Sequence, residues 1–431
     1  MRKRVSKRRQ LNDGFARSPI LIFLATFAIV VLAGMSVMLL YLKHSEDAAA
    51  MSGEGNREEA EKEEEHVLDA LWETIPAEAA EEESDVAGGK YDDVLSDPEY
   101  MKANRIYEKQ SKKEGVISFG FAGDILFDDE YAMMATLLRR GVSIENGISE
   151  PLLAQMQDVD IMMANNEFSY TDRGTPTEGK TYTFRADTST VSYLDDMGVD
   201  IVSLANNHVY DFGETGLLDT LDTLEQAGMP YVGAGRNLEE AAAPVYFISG
   251  DIKIAIVSAT QIERLDNPDT KEAGENSPGV FRCWNPEKLY EAVAAAEENS
   301  DFVIVYIHWG TENVTEPDWA QLTQAEGLAQ AGADLIIGDH PHCLQGIQYY
   351  GDVPVFYSLG NFWFNSKTLD TGVVKVDISK DGIESLQFVP AIQSDCRTDL
   401  AYGDDKERIL AELNSISFDV TIDADGFITK K

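Results

Sequence analysis

Six histidines occur in the 431-residue chain, and four of them (His208, His308, His340 and His342) follow short apolar runs. Gly338-Asp339-His340-Pro341-His342 is the densest point. If Asp334 to Ile337 is a strand, the histidine pair sits at its carboxyl end. Residues two apart on an extended segment project the same way, and Pro341 stiffens the backbone between them. Both imidazoles are therefore expected to face one point. Other apolar runs end in Asp124, Glu167, Asn207, His208 and His308. Carboxylate, amide and imidazole donors suit divalent Mn, Zn or Fe. They exceed what one four-coordinate ion needs and fit two ions about 3.5–4 Å apart. Such a pair acidifies a bound water and offsets charge on a phosphoryl or acyl transition state. Asp124, Glu167, Asn207, His208, His308, His340 and His342 are therefore the candidate site residues.

The elements that must position these groups are legible as alternation. Val116–Ala122, Asp160–Ala164, Asp200–Ala205, Phe302–Ile307, Asp334–Ile337 and Pro354–Leu359 are continuous apolar runs, as suits strands covered on both faces. Lys253–Ala259, Val373–Ile378 and Leu386–Pro390 read as structural strands, and Ile416–Ile422 as a last one. Leu217, Leu218, Leu221 and Leu224 repeat at helical spacing before Gly228. Asn285-Pro286 reads as an N-cap and first-turn pair ahead of Leu289 and Val293. Thr315-Glu316-Pro317-Asp318 reads as a capping box ahead of Trp319, Leu322 and Leu328. Strands alternating with helices define an α/β domain, whose ligands bind beyond the carboxyl ends of the strands.

The formal net charge is −41. A basic cluster occupies the first 17 residues, so the remainder is more acidic still. That excludes a nucleic-acid partner. Three widely spaced cysteines form neither a disulfide framework nor a CxxC motif. Ile20 to Leu42 is an uncharged run of 23 residues, long enough to span a membrane. The basic cluster before it places the N-terminus in the cytoplasm. The expected organisation is a cytoplasmic tail (1–18), a transmembrane helix (19–42), an acidic disordered linker (43–114), a folded domain (115–398) and a C-terminal extension (399–431). The cell membrane is the expected location, with the main domain extracellular.

Phe121-Ala122-Gly123-Asp124, Asn166-Glu167, Ser203-Leu204-Ala205-Asn206-Asn207-His208, His308-Trp309-Gly310-Thr311-Glu312, Gly338-Asp339-His340-Pro341-His342 and Tyr357-Ser358-Leu359-Gly360-Asn361-Phe362 together resemble the capsule synthesis protein CapA family. That family is associated with poly-γ-glutamate synthesis and export, and is similar to calcineurin-like metallophosphoesterases. The resemblance implies a metallophosphoesterase-like α/β sandwich of two mixed β-sheets flanked by helices, here preceded by one transmembrane helix, with a dinuclear site at one edge. It implies Asp124, Glu167 (at the bridging position), Asn207, His308, His340 and His342 as ligands, and Asp124 and His208 as catalytic residues, with His208 near the leaving group as general acid or transition-state hydrogen-bond donor. The Asp-x-His of phosphoesterases is absent, because position 126 is Leu126, so one ion loses an imidazole. Gly179 to Ala186 resembles the family's Lys-aromatic-Phe-Arg loop. Lys180, Phe184, Arg185, Glu312 and Asn361 are therefore expected to meet substrate; Arg173 and Arg236 are weaker candidates for anion binding.

The expected function is synthesis or export of poly-γ-glutamate or a related anionic capsule polymer, by metal-dependent hydrolysis or transfer if the protein is catalytic. Other capsule synthesis subunits are expected partners. Two alternatives stay open at this point: an extracellular metallophosphoesterase, and a non-catalytic polymer-binding export component.

Overall fold

A computed structural model describes residues 89–262 and 270–431. The expected cytoplasmic tail and membrane helix lie outside these residues. Among the described residues, no helix is long and apolar enough to cross a membrane.

In chain order the strands of the two large sheets are β1 (Ile106–Glu108), β2 (Val116–Ile125), β3 (Ile161–Asn166), β4 (Ile201–Ser203), β5 (Tyr231–Val232), β6 (Val245–Ser249), β7 (Ile252–Thr260), β8 (Phe302–His308), β9 (Leu335–Asp339), β10 (Ile347–Tyr350), β11 (Val353–Phe356), β12 (Asn361–Trp363), β13 (Leu369–Ser379), β14 (Gly382–Ser394) and β15 (Arg397–Leu400). The helices are α1 (Asp92–Leu95), α2 (Pro98–Ala103), α3 (Ala132–Arg140), α4 (Glu150–Gln157), α5 (Ser192–Met197), α6 (Gly213–Ala227), α7 (Leu238–Ala242), α8 (Glu287–Glu297), α9 (Trp319–Gln330) and α10 (Gly403–Ile416). One sheet runs β1-β6-β7-β8-β9-β11-β10, and the other β15-β14-β13-β2-β3-β4-β5 with β12 on β2. Both mix parallel and antiparallel pairs.

Side-chain alternation builds the layers. Phe119, Phe121, Ile161 and Met163 from the second sheet share one core with Ile254, Ile256, Ile304, Tyr306, Leu335 and Ile337 from the first. The sheets therefore pack face to face. Their other faces carry Met162 and Ala164 against residues of α3 to α6, and Val303, Val305 and Ile336 against α8 and α9. Runs buried on both faces show no apolar–polar alternation, which is why these strands read as continuous apolar sequence.

One device recurs at the amino ends of the parallel strands. Asp160, Asp200, Asp301 and Asp334 each precede a strand. In each case the carboxylate accepts the backbone N–H of the residue opposite on the neighbouring strand: Ser118, Met162, Lys253 and Val303, at 2.8–2.9 Å. The aspartate's own N–H donates back to the carbonyl of that same residue. This two-point clasp fixes register, and a one-residue slip would move a strand by about 3.3 Å and exchange its faces.

Several boundaries need correction. The described part of the expected linker is ordered: β1 pairs with β6, and Asp301 accepts from Tyr91 Oη at 2.7 Å. The C-terminal extension is core, since Ile409, Leu410 and Leu413 of α10 join the inter-sheet cluster together with Val420 and Ile428. The strand expected over Ile416–Ile422 covers only Val420–Ile422 and pairs with a final strand at Ile428–Lys430. α9 is capped by Asp318, not Thr315: Asp318 accepts from Gln321 N and Gln321 Oε1 accepts from Asp318 N, both at 3.0 Å. Trp319 then starts the helix on its outer side, 78% exposed. α8 starts at Glu287, one residue beyond the expected first-turn Pro286. α6 ends at Gly228 as read, in the left-handed conformation (φ 71°) that glycine accepts without strain.

Candidate metal centre

The expected ligands converge at the carboxyl ends of the strands. His308 Nε2 lies 2.8 Å from Asn207 Oδ1, 3.0 Å from His340 Nδ1 and 3.5 Å from Glu167 Oε1. His342 Nδ1 lies 3.1 Å from Asp124 Oδ2 and 2.8 Å from Asn361 Oδ1. Ligand atoms of Glu167, His340 and His342 fall within 4.8 Å of one another, as do those of Asp124, His308 and Asp339.

The histidine pair reaches this point by a different route from the one expected. β9 ends at Asp339, and His340 and His342 have φ of 92° and 58°. They converge through a turn with left-handed residues, not as neighbours on an extended strand. Non-glycine residues held there carry strain that surrounding contacts must offset.

Amide groups build the frame. Asn206 Oδ1 accepts from the N–H groups of His208 and Val209, and its Nδ2 donates to Asn165 Oδ1 and Asn166 O. Asn165 in turn donates to Asp124 Oδ1 at 2.9 Å. Asn206 thus ties the ends of β3 and β4 together and presents Asn207 and His208. Asp339 lies opposite His308 in the β8–β9 pairing, and its Oδ1 is 2.8 Å from His308 Nδ1. With His308 Nδ1–H donating to Asp339 Oδ1, the Nε2 lone pair faces the other donors.

His208 has its own support. Asp211 Oδ2 is 2.7 Å from its Nδ1, and Asp211 Oδ1 pairs with Lys180 Nζ at 2.5 Å. Lys180 also donates to Asn207 O. The Phe184 ring packs 4.3 Å from the His208 ring. The free Nε2 stands 4.0 Å from Glu167 Oε1, facing the cluster.

Electrostatics test whether cations fit. Both oxygens of Glu167 and Asp339 Oδ2 are buried without a hydrogen-bond partner. Burial, then the Asp124 and Asp339 charges, push Glu167 well above the usual carboxylate range. Burial and Asp124 do the same to Asp339. Burial holds His308 down at about 3, pushes His340 well below its ordinary value and lowers His208. Asp124 and His342 respond oppositely. Burial opposes both charges, but their mutual contact lowers the carboxyl and raises the imidazole. Neutral imidazoles facing carboxylates that lack counter-charges are a donor set suited to divalent cations.

The remaining expected site residues divide. Asn361 and Phe184 line the centre. Glu312 is exposed on the loop after β8, near enough for its charge to raise Glu167 and His342. Lys180 is buried against Asp211, so it supports His208 and is not an open anion contact. Arg185 turns away, with Nη2 3.9 Å from Glu130 and its guanidinium 4.8 Å from the Phe212 ring centroid. Arg173 and Arg236 are tied to surface acids. Leu126 belongs to the core between the second sheet and its helices. Asp339, Asp211, Asn165 and Asn206 were not among the expected site residues, although each stands within three residues of one that was.

Fold and site together define the class: a two-sheet α/β sandwich with a buried histidine–carboxylate centre at its strand ends. Residues 118–366 match the family described as bacterial capsule synthesis protein PGA_cap, and the chain belongs to that family. It is 33% identical over 232 residues to the capsule biosynthesis protein CapA of Bacillus anthracis, covering 52% of this chain and 55% of that protein. It is 30% identical over 283 residues to the PGA biosynthesis protein CapA of Bacillus subtilis (strain 168), covering 64% and 72%. The alignment thus spans just over half the length of the first relative. A solved 5′-nucleotidase from Candida albicans SC5314 aligns with a TM-score of 0.35 and 11% identity, over 66% of this chain and 53% of that one; so distant an overlay carries no functional argument.

Proposed function

We propose that this protein is a membrane-anchored, extracytoplasmic capsule synthesis protein that acts on poly-γ-glutamate or a related anionic polymer through a pair of divalent cations. The convergence of Asn207, His340 and Glu167 on His308 Nε2, with both Glu167 oxygens otherwise unpartnered, carries this reading. Glu167, Asn207, His308 and His340 would hold one ion; Asp124, Glu167 and His342 would hold the other. When bound, the ions would supply Lewis-acid activation and charge neutralisation for hydrolysis or transfer.

The chain's own residues do the rest. Asp211 fixes the His208 tautomer with Nδ1 protonated. Nε2 is then directed at the cluster with its lone pair, where it can take a proton from an attacking nucleophile and, as the imidazolium so formed, pass that proton to a leaving group. Lys180 pairs with the other oxygen of Asp211, which holds this buried carboxylate in place behind the imidazole. Phe184 covers the imidazole and limits its rotation. Because Lys180 is committed to Asp211, the positive charge that a polyanion meets comes from the cations, which reconciles a strongly acidic chain with an acidic ligand.

The test combines metal analysis with a poly-γ-glutamate cleavage and transfer assay on the purified full-length chain and its His208→Ala variant. Wild type is expected to hold two ions and act on the polymer, and the variant to keep the ions and lose turnover. Purified protein that takes up no divalent ion would sink the reading. Turnover of phosphate esters without action on the polymer would favour the phosphoesterase alternative.

A further inference from the structure

We propose that Asn361 is the amide-oxygen ligand of the ion held by Asp124 and His342, occupying the donor place left without an imidazole at Leu126. The inference rests on the metal-centre reading above and extends it to a residue outside the carboxylate and histidine set.

Three observations carry it. First, position 126 is closed to the site: Leu126 is 1% exposed and packs in the core between sheet and helices. β2 therefore brings Asp124 to this ion without a second donor two residues on. Second, β12 runs parallel to β2 with Asn361 directly opposite Asp124, which brings the amide to the side where the donor is lacking. Asn361 is 1% exposed, and its Nδ2 has no hydrogen-bond partner. Third, the spacing is that of ligands sharing an ion. Asn361 Oδ1 and Asp124 Oδ2 lie 2.8 and 3.1 Å from the same nitrogen, His342 Nδ1. Ligands at right angles around an ion with bonds of about 2.0–2.2 Å stand roughly 3 Å apart. His342 Nδ1 can offer one proton at most, yet two acceptor oxygens face it. A cation among the three atoms satisfies all of them.

The consequence is asymmetry. This centre presents oxygens from Asp124, Asn361 and Glu167 with one imidazole. Its neighbour presents two imidazoles with the oxygens of Glu167 and Asn207. Oxygen-rich sets favour Mn²⁺ or Mg²⁺, and added imidazole favours Zn²⁺ or Fe²⁺.

The experiment titrates Mn²⁺ and Zn²⁺ into chelator-stripped full-length protein. Calorimetry gives stoichiometry and affinity, and electron paramagnetic resonance reads bound Mn²⁺. Wild type is expected to bind two ions of unequal preference. Asn361→Leu, of similar size without the oxygen, should weaken one ion by more than about tenfold and leave the other. Asn361→Asp, which keeps an oxygen there, should retain both. Circular dichroism on the stripped variants checks that each is folded. Two ions bound by Asn361→Leu with wild-type affinities would overturn the proposal and leave the metal-centre reading intact. Asn361→Asp losing as much as Asn361→Leu would also overturn it, since that marks the amide as a hydrogen-bond donor. Wild type binding no ion would overturn both readings.

Discussion

Asp124 and Asn361 face each other across the β2–β12 pair, and the Asp124 N–H donates to the carbonyl of Gly360, one residue before Asn361, at 3.1 Å. Gly123 makes this approach possible: a Cβ at that position would stand 1.9 Å from Gly360 O. Backbone on both sides leaves no flexible side chain to yield. Gly123→Ala is therefore expected to destabilise the fold by at least about 1–3 kcal/mol and to lower metal retention. Denaturant unfolding with and without added Mn²⁺ checks both effects.

Chelation should matter to stability as well as to activity. Glu167 and Asp339 hold buried oxygens without partners, so cations that bind only the folded state stabilise it by linkage. At an ion concentration 100 times the dissociation constant, the gain is about 2.7 kcal/mol per site. A melting temperature indifferent to chelator would count against ions in this cluster.

Lys180 and Asp211 form an ion pair with side chains only 4% and 0% exposed. Removing one partner strands a buried charge, at a cost of about 3–5 kcal/mol. Lys180→Met should therefore unfold at markedly lower urea than wild type. Lys180→Met/Asp211→Asn should recover part of the loss. If the single variant matches wild type, Asp211 is not held as described.

Asp301 predicts a pH dependence remote from the site. Burial raises its pKa, but the bonds from Lys90, Tyr91 and the Lys253 N–H outweigh burial, and the net shift is downward. A carboxyl with a depressed folded pKa contributes stability above its unfolded pKa of about 4, and loses it as pH falls through the folded value. The stability gap between wild type and Asp301→Asn should be full at pH 6 and shrink below pH 4. Unfolding curves across that range measure the gap. Hydrogen exchange at pH 7 should show the 89–95 segment less protected in the variant.

Much of this architecture was legible before the structure. Strand positions followed from uninterrupted apolar runs, and the residues that converge on the candidate site from the polar groups at their ends. The turn at His340 and His342 was not, because left-handed φ in histidine has no local sequence signature. Lys180 was misread because a lysine in a loop gives no sign that an aspartate thirty-one residues later will enclose it. Asp339 was overlooked just before the more conspicuous His340; only the β8–β9 register shows that it backs His308. The packing of α10 depends on contacts with strands far away in sequence, and the segment after Asp399 gave no sign of it beyond a strand expected at Ile416–Ile422.

The aspartate clasps sit at the amino ends of the strands, while the donor residues sit at the carboxyl ends. Alignment and chemistry are thus assigned to opposite ends of the same strands. A change of donor, such as a leucine where an imidazole would stand, leaves the aligning contacts untouched. The scaffold is therefore evolvable at its reactive rim. It also offers engineers a simple rule: vary the donor side chains beyond the strands, and keep the aspartate before each clasped strand together with the amides that frame the rim.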